Sequence, residues 1–383
     1  MGRSILVIIL LVVLLLVVAA VISRRGGERT APVIRTAPSN SPNTSSQASR
    51  SSPEAWRETD YSSIRSVTFY VFPFDPDVYY EELEKAIPTL KSVGFNAIWI
   101  VNPWKSFNPK PLANPPVYDD ARFDHLENVL RLLKENGMEA ILGLNYLGKG
   151  WSPEGIDPGR WITDPKMYHA FEVYVDEFLR RIEPYHDMVY IVVFTEGTEP
   201  ECLNPYRDAK RHAEVLRGTL GSLPTRIDPS LRREFRIGYH DYSLINLNWS
   251  GGVSPIPQPN PFDFVSMVFY GWEDRSDEEI RHELERRASN FKALYPGKPL
   301  IVGELGASIC EGGEENQARV IAAKVSKALE SGYGFNVWHW RPIPGEDECR
   351  NVAFRGLSLT SEDGSPRPVV EALRELLSRT VRS

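Results

Sequence analysis

Along most of the chain, apolar residues come in short, nearly unbroken runs, separated by longer stretches in which apolar positions recur at helical spacing. The runs are SVTFYVF (66–72), FNAIWIV (95–101), MEAILGL (138–144), MVYIVVF (188–194), FRIGYHD (235–241), FDFVSMVFY (262–270), PLIVGEL (299–305) and FNVWHW (335–340). Strands that are apolar almost throughout are what parallel strands covered on both faces look like; a half-exposed sheet would alternate. The stretches between them, such as EELEKAIPTLKSVG (81–94), FDHLENVLRLLKENG (123–137), DPKMYHAFEVYVDEFLRRI (164–182), YRDAKRHAEVLRGTLGSL (206–223) and DEEIRHELERRASNFKAL (277–294), read as amphipathic helices. Strand and helix alternate about eight times, which predicts an α/β chain folded as a (β/α)8 TIM barrel. A doubly wound open sheet is the rival, but it more often carries a glycine-rich phosphate loop, and none is found. In such a barrel the C-terminal strand ends open on one rim, where functional side chains gather.

The first residues break this rhythm. Ile5 to Ile22, ILVIILLVVLLLVVAAVI, is apolar without interruption, long enough to cross a bilayer core that needs ~17 to 25 residues of helix. Residues 1–25 therefore read as a transmembrane anchor. A cleavable signal is the alternative, since Ala19, Ala20 and Ser23 are small, but the run exceeds the ~7 to 15 residues of a signal core. Residues 26–60, which open GGERTAPVIRTAPSNSPNTSSQASRSSPEA, hold too few large apolar side chains to order themselves and read as a flexible stalk. Arg24, Arg25 and Arg29 would keep that side in the cytoplasm by the positive-inside rule. Stalks of this kind usually hold a domain off the outer face, and that reading carries more weight. The expectation is a membrane-anchored protein whose domain, residues 61–383, is extracellular, or secreted if the leader is cleaved.

Composition narrows the function. The 383 residues are 42% hydrophobic and 11% aromatic, enough for one large core, and the formal net charge of -7 argues against nucleic acid. A neutral polymer remains compatible. The seven His residues show no ligand spacing, so neither a metal nor a cofactor is expected. His240 and Asp241, at the end of the fifth strand, could line a site, with a structural histidine as the first reading. Cys310 and Cys349 follow the seventh and eighth strands on adjacent loops and are expected to pair in an oxidising exterior.

Acidic residues at strand ends carry the chemistry. PLIVGEL stops at Glu304, which is either a rim carboxylate with a function or a strand-end Glu that caps a loop or pairs with an Arg. The fourth strand runs into TEGTEPEC, placing Glu196 and Glu199 on the same rim. Cleaving a glycosidic bond needs two carboxyls on opposite sides of the anomeric carbon, ~5 to 5.5 Å apart for a retaining route. Strand alternation sends either Glu196 or Glu199 inward, and the sequence leaves open which. Trp104, Trp151, Trp161, Trp272, Trp338 and Trp340 all fall at or just after strand ends, where rings can pack on the flat apolar faces of sugars. Two long loops, residues 102–120 and 145–161, could wall a cleft and favour an internal cut.

Several of these stretches resemble one family. VVFTEGTEPEC resembles the fourth-strand motif of clan A glycoside hydrolases, above all the mannanase-like and cellulase-like members of family 5, where a Gly-Asn-Glu-Pro segment carries the acid/base. Aligned on Gly197 and Pro200, that Glu falls on Glu199. IVGELG resembles the nucleophile strand, with the nucleophile on Glu304. RFDHLENVLRLLKENGMEAILGL and WITDPKMYHAFEVYVDEFLRRI are similar to the segments around the third strand and before the fourth. DFVSMVFY resembles the sixth strand with its active-site Tyr on Tyr270, FNVWHW the eighth with its sugar-stacking Trp on Trp338, and FRGLSLTSEDGSPRPVVEAL the closing segment. The likeness spans nearly all of residues 66–377.

The resemblance implies a monomeric, cofactor-free retaining hydrolase of β-1,4-linked polysaccharide, mannan first and glucan second. Glu304 would be the nucleophile and Glu199 the acid/base, with Glu196 as the alternative acid/base. Trp104, Trp151, Thr198, Tyr270, Trp272 and Trp338 would bind substrate. The chain also departs from the pattern: Thr198 stands where the family has Asn, Val268 where it has His, Trp99 where it has Arg, and Asn145 near the place of another His. Those partners normally hold the carboxylates, so the alternative is a glycan-binding barrel that has lost turnover.

Overall fold

The apolar runs become strands and the amphipathic stretches become helices in a computed structural model that describes residues 59–69, 76–146, 152–194, 209–241, 254–342, 349 and 356–380. The anchor and stalk, together with Trp151, Glu196, Thr198, Glu199 and Cys202, lie outside the described residues. Among those described, no helix is long and apolar enough to cross a membrane.

In chain order the elements are β1 (Arg65–Thr68), α1 (Pro76–Val93), β2 (Ala97–Pro103), α2 (Trp104–Phe107), α3 (Asp120–Glu135), β3 (Glu139–Tyr146), α4 (Pro165–Ile182), β4 (Val189–Phe194), α5 (Ala209–Gly218), α6 (Pro229–Glu234), β5 (Arg236–Asp241), β6 (Phe264–Phe269), α7 (Asp277–Leu294), β7 (Leu300–Leu305), α8 (Gly313–Glu330), β8 (Gly334–Val337) and α9 (Pro368–Thr380). The strands pair in sequence order, all parallel, and β1 also pairs with β8, which closes the (β/α)8 barrel.

Closure explains why the strands are apolar on both faces. Ala97, Trp99, Val101, Ile141, Tyr190, Val192, Phe194, Phe264, Ile301 and Trp338 share one cluster inside the barrel. Their strand neighbours Ile98, Ile100, Leu142, Ile191, Val193, Val265, Val302 and Leu305 face outward into a second core shared with the helices. Tyr61, in a short 3-10 turn ahead of β1, lies 5.1 Å from the Phe264 ring and 5.9 Å from Tyr190, stopping the N-terminal end.

Helix ends follow local chemistry. The Asp164 carboxylate accepts from the Lys166 and Met167 amides and Pro165 opens α4, while Ser276 and Glu279 form a capping box at α7. The helix expected over residues 206–223 breaks. From Ala209 it becomes α5 and then enters a 3-10 turn at Leu220–Thr225, with α6 following separately. Pro224 inside that turn has no N–H to continue the ladder, and a Cβ on Gly221 would overlap the Pro255 carbonyl.

Helix α8 reaches back to the rim. Buried Lys324 donates from Nζ to the carbonyls of Gly271 and Gly306, both at 2.7 Å, and of Phe269 at 3.3 Å. Burial pulls its ammonium down to about 7, with Glu273 nearby pushing the other way. Gln317, two turns earlier on the same face, donates to the carbonyls of Ala307, Gly356 and Ser358. The expected disulfide is present. Cys310 and Cys349, 39 residues apart in sequence, bridge the loops after β7 and β8 with their Cα atoms 5.6 Å apart.

Two outcomes test this packing. A crosslink closing a loop of that length constrains the unfolded chain by roughly 2–4 kcal/mol. Reductant or Cys310→Ser should therefore lower the urea midpoint, and superimposable curves would show that the bridge adds nothing. Separately, burial in α5 pulls the His212 imidazole from 6.5 down to about 4. A depressed base contributes stability that is complete above the unfolded value and lost as pH falls through the folded one. About 3 kcal/mol should disappear across that window, and His212→Leu should flatten the slope there.

Candidate active site

The site begins with an irregularity in β7. Met267 pairs with Val302, yet Val268 pairs with Glu304, so β7 carries one extra residue, Gly303, against β6. This is a β-bulge, which breaks the alternation and re-aims the side chain that follows. Only glycine fits. A Cβ there would overlap Ser266 Oγ and stand 2.9 Å from the Trp99 indole and 3.0 Å from His240 Nδ1.

Polar side chains hold the bulge from inside the barrel. Asn336 Nδ2 of β8 donates to the Gly303 carbonyl at 2.7 Å and to Thr68 Oγ1 of β1 at 2.8 Å. Its Oδ1 accepts from Ser66 Oγ at 3.1 Å. All three side chains are buried and all three are paired, as an interior without water requires.

Glu304 then emerges at the C-terminal end of β7, only 3% exposed. The Tyr270 hydroxyl donates to its Oε2 at 2.8 Å. His240 Nε2 of β5 lies 3.3 Å from its Oε1. The other imidazole nitrogen, Nδ1, is 2.8 Å from Ser266 Oγ of β6. The His240 ring is fully buried, with the Phe194 ring 5.0 Å and the Trp99 ring 5.7 Å away, both edge-on to it. Each carboxylate oxygen thus faces one group able to donate a proton. Among the described residues no Arg or Lys reaches ion-pair distance of Glu304, and Trp99 and Val268 fill with apolar bulk the places where the resemblance would put Arg and His.

Of the aromatic residues named from the sequence, Tyr270 bonds Glu304, and the Trp338 amide donates to the carbonyl of the next residue, Leu305, at 2.9 Å. Trp338, 5% exposed, belongs to the inner cluster against which Tyr270 packs, and a Cβ on Gly306 would touch both residues. Trp104 requires correction. The chain leaves β2 through Pro103 and coils at once into α2, which turns this indole over α4. There it is fully buried against Trp161, Phe171 and Tyr174, with no face left for a sugar. Trp161 and Trp340 are also buried in the outer core. The Trp272 ring is partly exposed and packs near Phe269, Arg275 and Arg287. Glu196, Glu199, Thr198 and Trp151 lie outside the described residues.

His240 stands against Glu304 and Ser266, and Ser266 and Asn336 escaped the sequence reading altogether. A signal existed. Each is a polar residue at an inward position of a strand otherwise apolar, and that parity alone marks them as neighbours.

No protein-family model matches the chain, and no curated protein does. Solved structures do. An exo-β-1,4-mannosidase from Opitutaceae bacterium strain TAV5 aligns with a TM-score of 0.64 at 16% identity, over 83% of this chain and 60% of that one. This chain thus spans about three fifths of that enzyme's length. A GH5_18 protein from Streptomyces cattleya in complex with Manβ1-4GlcNAc aligns at 0.61 and 14% identity, over 83% of this chain and 81% of that one. Cellulose synthase subunit Z from Clostridioides difficile aligns at 0.57 and 12%, over 81% and 99%. At such identities the likeness establishes the fold. This chain has the eight-stranded barrel seen in family 5 glycoside hydrolases.

The bulge makes a prediction of its own. Gly303→Ala should cost about 1–3 kcal/mol in urea unfolding through overpacking. Placed in a Ser266→Gly background, which removes the atom it overlaps, the same change should cost less. Equal costs in both backgrounds would mean that the inner packing is not what excludes a side chain there.

Proposed function

We propose that the protein is a retaining glycoside hydrolase of β-1,4-linked glycans, with Glu304 as nucleophile and Glu199 as acid/base. The observation that carries this is the setting of Glu304: a rim carboxylate re-aimed by a bulge and gripped on Oε2 by Tyr270, whose ring packs on the inner cluster that includes Trp338. In the first step Glu304 attacks the anomeric carbon while Glu199 gives its proton to the departing oxygen. In the second, water deprotonated by Glu199 attacks the same carbon and releases Glu304. The acid has to hold a proton that the nucleophile has given up, so the two carboxyls need unlike surroundings. Glu196 remains the alternative acid/base. β-Mannosides lead as substrates and β-glucosides follow, an order supported by the mannosidase and the Manβ1-4GlcNAc complex among the structural neighbours.

The same proposal places residues 1–25 as an anchor and residues 26–60 as a stalk, with the barrel outside the cell. The apolar run at Ile5–Ile22 and the Cys310–Cys349 bridge support it, since disulfides persist in oxidising surroundings. A second reading has an observation in its favour. Trp99 and Val268 are buried apolar residues where polar supports would aid turnover, as in a barrel that binds glycan without cleaving it.

A 2-deoxy-2-fluoro-β-mannosyl dinitrophenolate separates them. Turnover through Glu304 should trap the sugar on the peptide that contains this residue, and Glu304→Ala should lose about 10³-fold or more in kcat. A label on another carboxylate would refute the assignment. Retardation in mannan gels without any release of reducing sugar would establish the binding reading instead.

A further inference from the structure

We propose that His240 is a positioning residue for Glu304: its Nε2–H holds Oε1 within a four-membered relay, Ser266–His240–Glu304–Tyr270, that fixes both oxygens of the carboxylate. This rests on the reading of Glu304 as nucleophile.

The bland alternative is a histidine that merely fills the barrel. Three observations decide against it. First, the ring is held: Ser266 Oγ lies 2.8 Å from Nδ1, and the Trp99 and Phe194 rings, themselves 6.1 Å apart, pack edge-on against the same part of it. Second, Nε2 and Oε1 are both buried, and among the described residues each has only the other within ion-pair reach. Third, with Glu304 ionised as the nucleophile reading requires, the proton count leaves one arrangement. If the Ser266 hydroxyl donates to Nδ1, the neutral ring carries its proton on Nε2; if it accepts from Nδ1–H, a bare Nε2 would set its lone pair against a carboxylate oxygen 3.3 Å away. That second state is tolerable only if Nε2 is protonated as well. Either way the proton sits on the nitrogen nearest Glu304 Oε1, a contact that is within ion-pair distance but not aligned as a hydrogen bond in this structure.

Among the described residues, the remaining neighbours offer no competitor. Ser266 and Val268 come from β6, Trp99 from β2, Phe194 from β4 and Gly303 from β7. The adjacent carboxylate, Asp241, takes the opposite side of β5, where it accepts from the Tyr295 hydroxyl at 2.6 Å. At 3.3 Å the contact is longer than a charge-assisted bond at its optimum, and such contacts commonly tighten when substrate is bound. A nucleophile misplaced by one ångström can lose ~10²-fold in rate. Where an indole occupies the place of a supporting cation, the imidazole from β5 supplies the missing restraint.

The test compares His240→Leu with His240→Gln, whose amide can reach the same point with an N–H. On an aryl β-mannoside the Leu variant should lose about 10²-fold in kcat with KM little changed, and Gln should recover most of it. With a dinitrophenyl leaving group, which needs no acid, the Leu defect should persist, because it concerns the nucleophile. Equal losses in Leu and Gln, or a loss that follows the folded fraction measured by circular dichroism, would overturn the proposal. A readout without turnover keeps it separate from the hydrolase reading. In full-length protein labelled with 15N-histidine, the His240 Nε2–H resonance should shift in Glu304→Gln. If it does so in a protein that cleaves no glycoside, the restraint stands and the hydrolase reading falls; no shift refutes the restraint itself.

Discussion

The hydrogen bond from Asn336 to the Gly303 carbonyl is the constraint on which the rim depends. A bulge left to itself is a break in a ladder, with a carbonyl turned away from its partner strand. Here the carbonyl is taken up by a side chain from β8, which is itself braced by Ser66 and Thr68 of β1. The bulge is thereby held by a side chain of its neighbour on the β8 side, opposite the β6 edge where the register slips. Because a buried amide without partners would cost more than an apolar residue of the same shape, the network is stabilising only when complete. Its completeness is why Glu304 can leave the strand at a fixed angle.

The outer face of the same strands is held by different means. Lys324 gathers the carbonyls at the ends of β6 and β7, Gln317 joins the segments after β7 and β8, and the Ser308 amide donates to the Glu273 carboxylate at 2.7 Å. The Cys310–Cys349 bridge adds a covalent tie above them. Lys324 and Gln317 spend long polar side chains on backbone carbonyls in the interior, where each unpaired group would be costly. Such an arrangement gains little for the core. It makes sense where the ends of strands, which elsewhere fray into loops, have to stay in register.

The fold was legible because closure leaves every strand apolar on both faces, and eight such runs spaced by helices allow few other architectures. Glu304 and Tyr270 were legible for the same reason, as polar residues arriving where a buried strand ends. The tryptophans were not. A ring just after a strand looks identical whether the chain next turns inward or outward, and for Trp104 the single turn of α2 decides. His240 was underread because its sequence neighbour Asp241 drew both toward one surface, whereas alternation sends them to opposite sides of β5.

The inner packing also shows why the departures from the family pattern belong together. An arginine at position 99 would bring a charge into the barrel; the indole brings volume instead, and its ring edge lies against Gly303 and His240. With the indole in place there is no room for a second polar group from β7, and the glycine of the bulge becomes obligatory. Among the described residues, the imidazole is then the polar side chain near enough to restrain Oε1, and Ser266 lies against its other nitrogen. Replacing a long flexible cation with a short ring wedged among aromatics exchanges strength of attraction for certainty of position. For a carboxylate that has to meet one carbon from one direction, position is the scarcer requirement.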